Sequence, residues 1–222
     1  MIGQDNFILV WMENVSLSES SSEKLALRVD SKDYINISGL SGRDKMNFIN
    51  ILSCLQKPAA GKYLFDYKDI GTLDQKSLNL IRRGIGFLFC KLNLIEKFSV
   101  YKNIEMPVLS MQKMERDAAI RKAAERLGLT ELLETSVKKL TEEQQHKTAI
   151  ARAIVANPSM IVADEPAEEL LETLTHINRS GTAVISFSDK PKQRMNAARN
   201  IQFIDGCFLE EIKSDLQREA VL

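Results

Sequence analysis

Short apolar runs and helical stripes alternate along this chain. Residues 7–12, 25–29 and 34–37 are apolar runs of strand length, and a serine-rich turn over residues 16–22 separates the first two. The third run enters Gly39-Leu40-Ser41-Gly42, after which a helix carrying Met46, Ile49, Ile51 and Leu52 is predicted. Ile85–Phe89 is a further apolar strand, with Gly84 and Gly86 expected to break its start. From residue 90 to residue 158 the pattern becomes helical. Ile120, Ala123, Ala124 and Leu127 fall at i, i+3, i+4 and i+7, one face of a helix that Gly128 would stop. Thr141-Glu142-Glu143-Gln144 has the form of a capping box. The helix it opens carries Ile150, Ala151 and Ile154 and ends at Asn157-Pro158.

Residues 160–163 form an apolar strand that closes on Asp164-Glu165-Pro166. Leu170, Leu171, Leu174 and Ile177 give another helical face, closed near Gly181, and Ala183–Phe187 reads as a buried strand. Asp205-Gly206 between two apolar stretches predicts a hairpin turn. Parallel strands alternating with helices at both ends, with a helical block between them, predict an α/β nucleotide-binding fold. Its core is expected over residues 1–89 and 159–222, with a helical subdomain inserted over residues 90–158. Trp11 and Tyr34 are expected to pack in the core.

Composition narrows the function. With 222 residues, 44% hydrophobic and 27% charged, the chain is an ordinary globular one and not a disordered one. Thirty basic residues balance thirty acidic ones, which argues against nucleic acid as the partner. The three cysteines, Cys54, Cys90 and Cys207, are widely spaced and there are two histidines, His146 and His176; a disulfide framework and a zinc site are not expected. No run of 18 apolar residues occurs and the N-terminus lacks a signal-peptide pattern. The chain is therefore expected in the cytoplasm, meeting the inner face of the membrane only through a partner.

The order and spacing of these segments resemble an ATP-binding-cassette (ABC) transporter ATP-binding subunit, which has a P-loop NTPase core. They are most like the small ATPases of the lipoprotein-release, macrolide-export and cell-division group. Gly39-Leu40-Ser41-Gly42-Arg43-Asp44-Lys45-Met46 stands at the Walker A loop, and residues 85–95 are similar to the Q-loop region. Leu140-Thr141-Glu142-Glu143-Gln144-Gln145 stands at the signature, and Ala163-Asp164-Glu165-Pro166 closes a segment similar to Walker B. The resemblance implies that Gly39, Ser41, Gly42 and Lys45 hold ATP phosphates, that Asp164 holds Mg²⁺ and that Glu165 is the catalytic carboxylate. It also implies a transmembrane permease and a second ABC ATPase subunit, the same chain or another, as partners. Met106, Met111 and Met114 fall near the segment that contacts the transporter in this family, although core packing explains them nearly as well.

The departures bear on the same chemistry. Asp44 replaces the last glycine of the loop and places a carboxylate at the helix N-terminus where phosphate belongs. Met46 replaces the Ser/Thr that ligates Mg²⁺, and a thioether does not suit a hard cation. Glu142 and Glu143 replace the two signature glycines, although acidic residues also stabilise a first helical turn. Cys90 stands at the Q-loop glutamine and Ser188 at the switch histidine. The D-loop is missing, since Pro166 runs directly into the next helix, and an adenine-stacking aromatic is absent near residues 18–20. ATP and Mg²⁺ are accordingly expected to bind weakly or not at all, and a Lys45–Asp164 contact is expected instead. Three readings remain open: a pseudo-ATPase subunit docked on a permease or paired with an active ATPase; a slow transporter ATPase using Lys45, Asp164 and Glu165; and a soluble regulator of ABC-derived fold.

Overall fold

The computed structural model describes residues 7–19, 24–89 and 91–211. Its elements are β1 (Ile8–Ser16), β2 (Leu25–Asp30), β3 (Tyr34–Ser38), α1 (Gly42–Leu52), β4 (Ala60–Phe65), β5 (Lys68–Asp69), α2 (Gln75–Arg83) and β6 (Ile85–Phe89). There follow α3 (Val100–Glu105), α4 (Lys113–Arg126), α5 (Glu142–Ile154), β7 (Met160–Asp164), α6 (Leu171–Arg179), β8 (Ala183–Phe187), α7 (Pro191–Asn196), β9 (Arg199–Ile204) and β10 (Cys207–Glu211).

Two sheets result. The larger runs β10-β9-β3-β8-β7-β6, with every pairing parallel except β10 to β9. Its central strands β3 and β8 are buried at every residue, as expected where both faces of a parallel sheet are covered. Period-2 alternation sorts β7 between two cores: Met160 and Val162 join α1 and the smaller sheet, while Ile161 and Ala163 join the helices α3, α4 and α5. Asp205 (φ 48°) and Gly206 (φ 83°) make the tight turn between β9 and β10, both in the left-handed region that a two-residue hairpin loop uses.

The smaller sheet, β2-β1-β4-β5, is wholly antiparallel and corrects the expectation of parallel strands at the N-terminal end. No element is expected from the sequence over residues 53–84, yet they supply β4, β5 and α2. The first three residues of β4 are exposed, so its sequence lacks the alternation of a half-buried strand. Asp74 starts α2 by accepting the Ser77 N–H at 2.8 Å.

Three further expectations change. Trp11 is not in the core: Val10 and Met12 point inward along β1, and Trp11 between them is 40% exposed. Tyr34 is buried as expected, and burial pushes its hydroxyl up to about 12. Gly86 lies inside β6 instead of breaking it. A Cβ there would meet the Ala153 carbonyl oxygen at 2.5 Å, so the glycine lets α5 sit directly on the strand. Ser16 ends β1 and is not part of a turn; residues 20–22 of the serine-rich stretch lie outside the described residues. Elsewhere the local signals agree with the structure. The Thr141–Gln144 capping box is complete, and Gly128 takes φ 66° just past α4.

Candidate functional site

The site forms where the carboxyl ends of β3, β7 and β8 meet α1. Beyond Ser38 the chain turns at Gly39 (φ 81°), where a Cβ would lie 2.4 Å from the Phe203 carbonyl oxygen; only glycine fits there. The Gly39 N–H donates to Asp189 Oδ1 at 2.8 Å. Ser41 is the N-cap of α1, with extended backbone and no side-chain cap bond, and Gly42 (φ 52°) opens the helix. The turn thus leads straight into the N-terminus of α1, whose first backbone N–H groups have no intrahelical partner.

The side chains tell a different story. Lys45 Nζ lies 2.9 Å from Asp164 Oδ1 and 3.5 Å from Glu165 Oε1, the contact expected from the sequence extended to a second carboxylate. Burial opposes the lysine charge, but Asp164 and Glu165 outweigh it and hold its pKa above the ordinary lysine value. Glu165 has φ 47°, and its N–H donates to the Phe187 carbonyl at 2.9 Å. Ser188 is buried, and its hydroxyl donates to Glu165 Oε2 at 3.0 Å. The serine is itself anchored, since Asn36 Nδ2 donates to its carbonyl at 2.9 Å and Ser186 Oγ donates to Asn36 Oδ1 at 2.9 Å. Asp44 is exposed in the first turn of α1, and Met46, 47% exposed, brings no oxygen to the site.

Gly39, Gly42, Lys45, Asp164, Glu165 and Ser188 therefore converge, with Ser41 at the helix cap. Glu142 and Glu143 lie apart from them, exposed in the first turn of α5. Glu143 pairs with Lys147 at 2.6 Å, and that lysine holds its carboxyl below the usual range. Cys90 lies outside the described residues; beyond it, Arg152 donates to the carbonyls of Asn93 at 2.8 Å and Leu92 at 2.6 Å and ties this loop to α5. After Pro166 a single residue, Ala167, precedes a short 3₁₀ turn over Glu168–Leu170 and then α6. Gln193 Nε2 fixes the Pro166 carbonyl at 2.9 Å. His146 is half-buried on α5 and His176 exposed on α6.

Two roles were missed in the sequence. Asp189 is the acceptor for the Gly39 N–H, and Ser188 is the partner of Glu165. The parallel register Ile37↔Phe187 is the signal that brings both beside the loop, and it exists only once β3 and β8 are paired. The residues that a nucleotide and its cation would meet here are Gly39, Ser41, Gly42, Lys45 and Asp164. The loop curvature and α1 remain, but the lysine and both carboxylates engage one another, and the cation-ligating hydroxyl is a thioether.

Comparison with known proteins gives a consistent result. A family model described as ABC transporter matches residues 22–168. The chain is 32% identical over 191 residues to the ABC transporter ATP-binding protein YknY of Bacillus subtilis, covering 81% of this chain and 83% of that protein. It is 32% identical over 201 residues to the macrolide export ATP-binding/permease protein MacB of Marinobacter nauticus, covering 86% of this chain but 31% of that protein. The chain thus spans about a third of the length of such MacB relatives. Among solved structures, the dimeric, post-hydrolysis ATP-binding cassette MJ0796 bound to ADP and Pi superposes with TM-score 0.76 at 28% identity, covering 91% of this chain and 97% of that one. The cbiO1 subunit of Clostridium perfringens, at 20% identity and TM-score 0.83, shares the fold.

Proposed function

The chain belongs to the ABC transporter family, and from that premise we propose that it is an ATP-binding-type subunit whose fold is retained while ATP turnover is lost. The observation that carries this reading is the engagement of the three surviving catalytic-type side chains. Lys45 sits on Asp164 and Glu165, and Ser188 holds Glu165 from the other side. A phosphate entering the loop would have to separate the lysine from two carboxylates while meeting Asp44 at the helix N-terminus.

The partners are a membrane-embedded permease and a second ABC ATPase subunit. Among the described residues no helix is long and apolar enough to cross a membrane. The MacB relatives are named as ATP-binding and permease proteins in one, and this chain matches about a third of their length. The surface offered for docking is the turn between α3 and α4. Met106, Leu109, Met111 and Met114 are exposed there, Met114 at 82%, which favours the partner reading of these methionines over core packing. Arg116 Nη1 donates to the Leu109 carbonyl at 3.1 Å and so holds this turn in place.

A second reading, a slow ATPase, is favoured by the convergence of Lys45, Asp164 and Glu165 on one point. Calorimetric titration with ATP, with and without Mg²⁺, separates the two when run on the protein and on Lys45→Ala. The proposal expects no lysine-dependent heat at millimolar ATP and no phosphate release. Turnover by the pure protein that disappears in Glu165→Gln would overturn it.

A further inference from the structure

A cleft between the two sheets, about 400 Å³ in volume, is lined by none of the loop residues 39–46 and by neither Asp164 nor Glu165. Its apolar lining includes Met12, Leu27, Ile201 and Phe208, the first three of them buried. Its wall is Trp11, the one tryptophan of the chain, left 40% exposed by the alternation of β1. Glu13 lies two residues on, hence on the same face of the strand, and also lines the cleft.

Four charged residues line the cleft, Arg28 and Arg199 against Glu13 and Glu210, and they differ in how they are paired. Arg28, opposite Trp11 in the β1–β2 ladder, is engaged by Asp30 through two hydrogen bonds of 2.9 and 3.2 Å. Arg199 is engaged by Asp33 at 2.6 Å and by Glu210 at 2.7 Å. Both guanidiniums that line the cleft are thus engaged by carboxylates, of which Asp30 and Asp33 lie outside its lining and Glu210 within it. Glu13 makes no side-chain hydrogen bond or ion pair among the described residues, and Lys62, its cross-strand neighbour on β4, does not line the cleft. An anion would find both guanidiniums already neutralised. A cation would find an exposed aromatic ring, an unpaired carboxylate on the same strand face and apolar lining nearby, the combination that recognises ammonium groups.

We propose that this cleft binds a small organic cation, a quaternary or protonated amine on an apolar body, with Trp11 and Glu13 receiving the charged head. The inference is independent of the reading of the nucleotide site.

Because Trp11 is the sole tryptophan, its emission reports occupancy directly. The whole protein is titrated with phenyltrimethylammonium, its neutral isostere tert-butylbenzene and the anion benzenesulfonate. The expected result is a saturable change in emission with the cation alone, weakened about two- to fivefold in Glu13→Gln. Trp11→Leu, read by calorimetry, is expected to lose the cation, and Trp11→Phe to keep part of the affinity. An unsaturable response to the cation, equal binding of the neutral or anionic isostere, or unchanged affinity in folded Glu13→Gln would each overturn the proposal.

Discussion

Ser188 Oγ donates to Glu165 Oε2 at 3.0 Å, tying the end of β8 to the end of β7 through side chains 23 residues apart. The resemblance implies a histidine at position 188. A serine is shorter and uncharged, and it is buried at the strand end, so it holds the glutamate against the sheet. Removing that donor leaves Glu165 with Lys45 as its remaining side-chain hydrogen-bonding or ionic partner among the described residues.

Ser188→Ala should therefore destabilise the fold by about 1.5 kcal/mol, the lower end for a hydrogen bond to a charged group, because Glu165 is partly open to water. Urea denaturation of the two proteins checks this. A change indistinguishable from zero would mean that water replaces the serine without loss.

Lys45→Met should cost about 1–3 kcal/mol at neutral pH, between the values for exposed and buried ion pairs. The pH dependence has a definite sign. Lys45 has its pKa raised in the folded state, so its contribution is complete below the ordinary lysine value and is lost as pH rises through the folded one. The stability gap between the protein and Lys45→Met should stay flat from neutral pH to about pH 10 and narrow above it. A gap that widened in alkali would contradict the ion pair.

Gly39→Ala and Gly42→Ala should differ although both glycines have positive φ. At Gly39 the new methyl would sit 2.4 Å from the Phe203 carbonyl oxygen, whereas at Gly42 nothing lies within 4 Å. The first should cost more than about 3 kcal/mol and the second about 1 kcal/mol, the left-handed backbone cost alone. Thermal melts of the two variants would show the order.

Asp44→Gly combined with Met46→Ser should raise ATP affinity by about tenfold or more in the presence of Mg²⁺, because it removes a like charge from the helix N-terminus and restores an oxygen ligand. Calorimetry gives the answer. Unchanged affinity would show that neither Asp44 nor Met46 is what weakens binding.

The local elements and the family were open to sequence reading because they depend on near neighbours. The α4 stripe, the Thr141 cap, the β7 run into Asp164-Glu165 and the Asp205-Gly206 turn are each set by a few consecutive residues, and the ordered motifs sufficed for the family. Residues 60–65 were not open, since that strand is half exposed, whereas residues 75–83 did carry a helical signal in Leu78 and Ile81, three apart on one face after the Asp74 cap. Three arrangements wait on the third dimension. The register of β3 against β8 puts Asp189 on the Gly39 N–H across 150 residues. The meeting of β7 and β8 turns Ser188 into a partner for Glu165. The closing of the small sheet against the β9–β10 hairpin leaves Trp11 on a cleft and not in the core. The physical reason is shared: periodicity says which side chains leave a strand on the same face, but only the packing of distant strands says what that face meets.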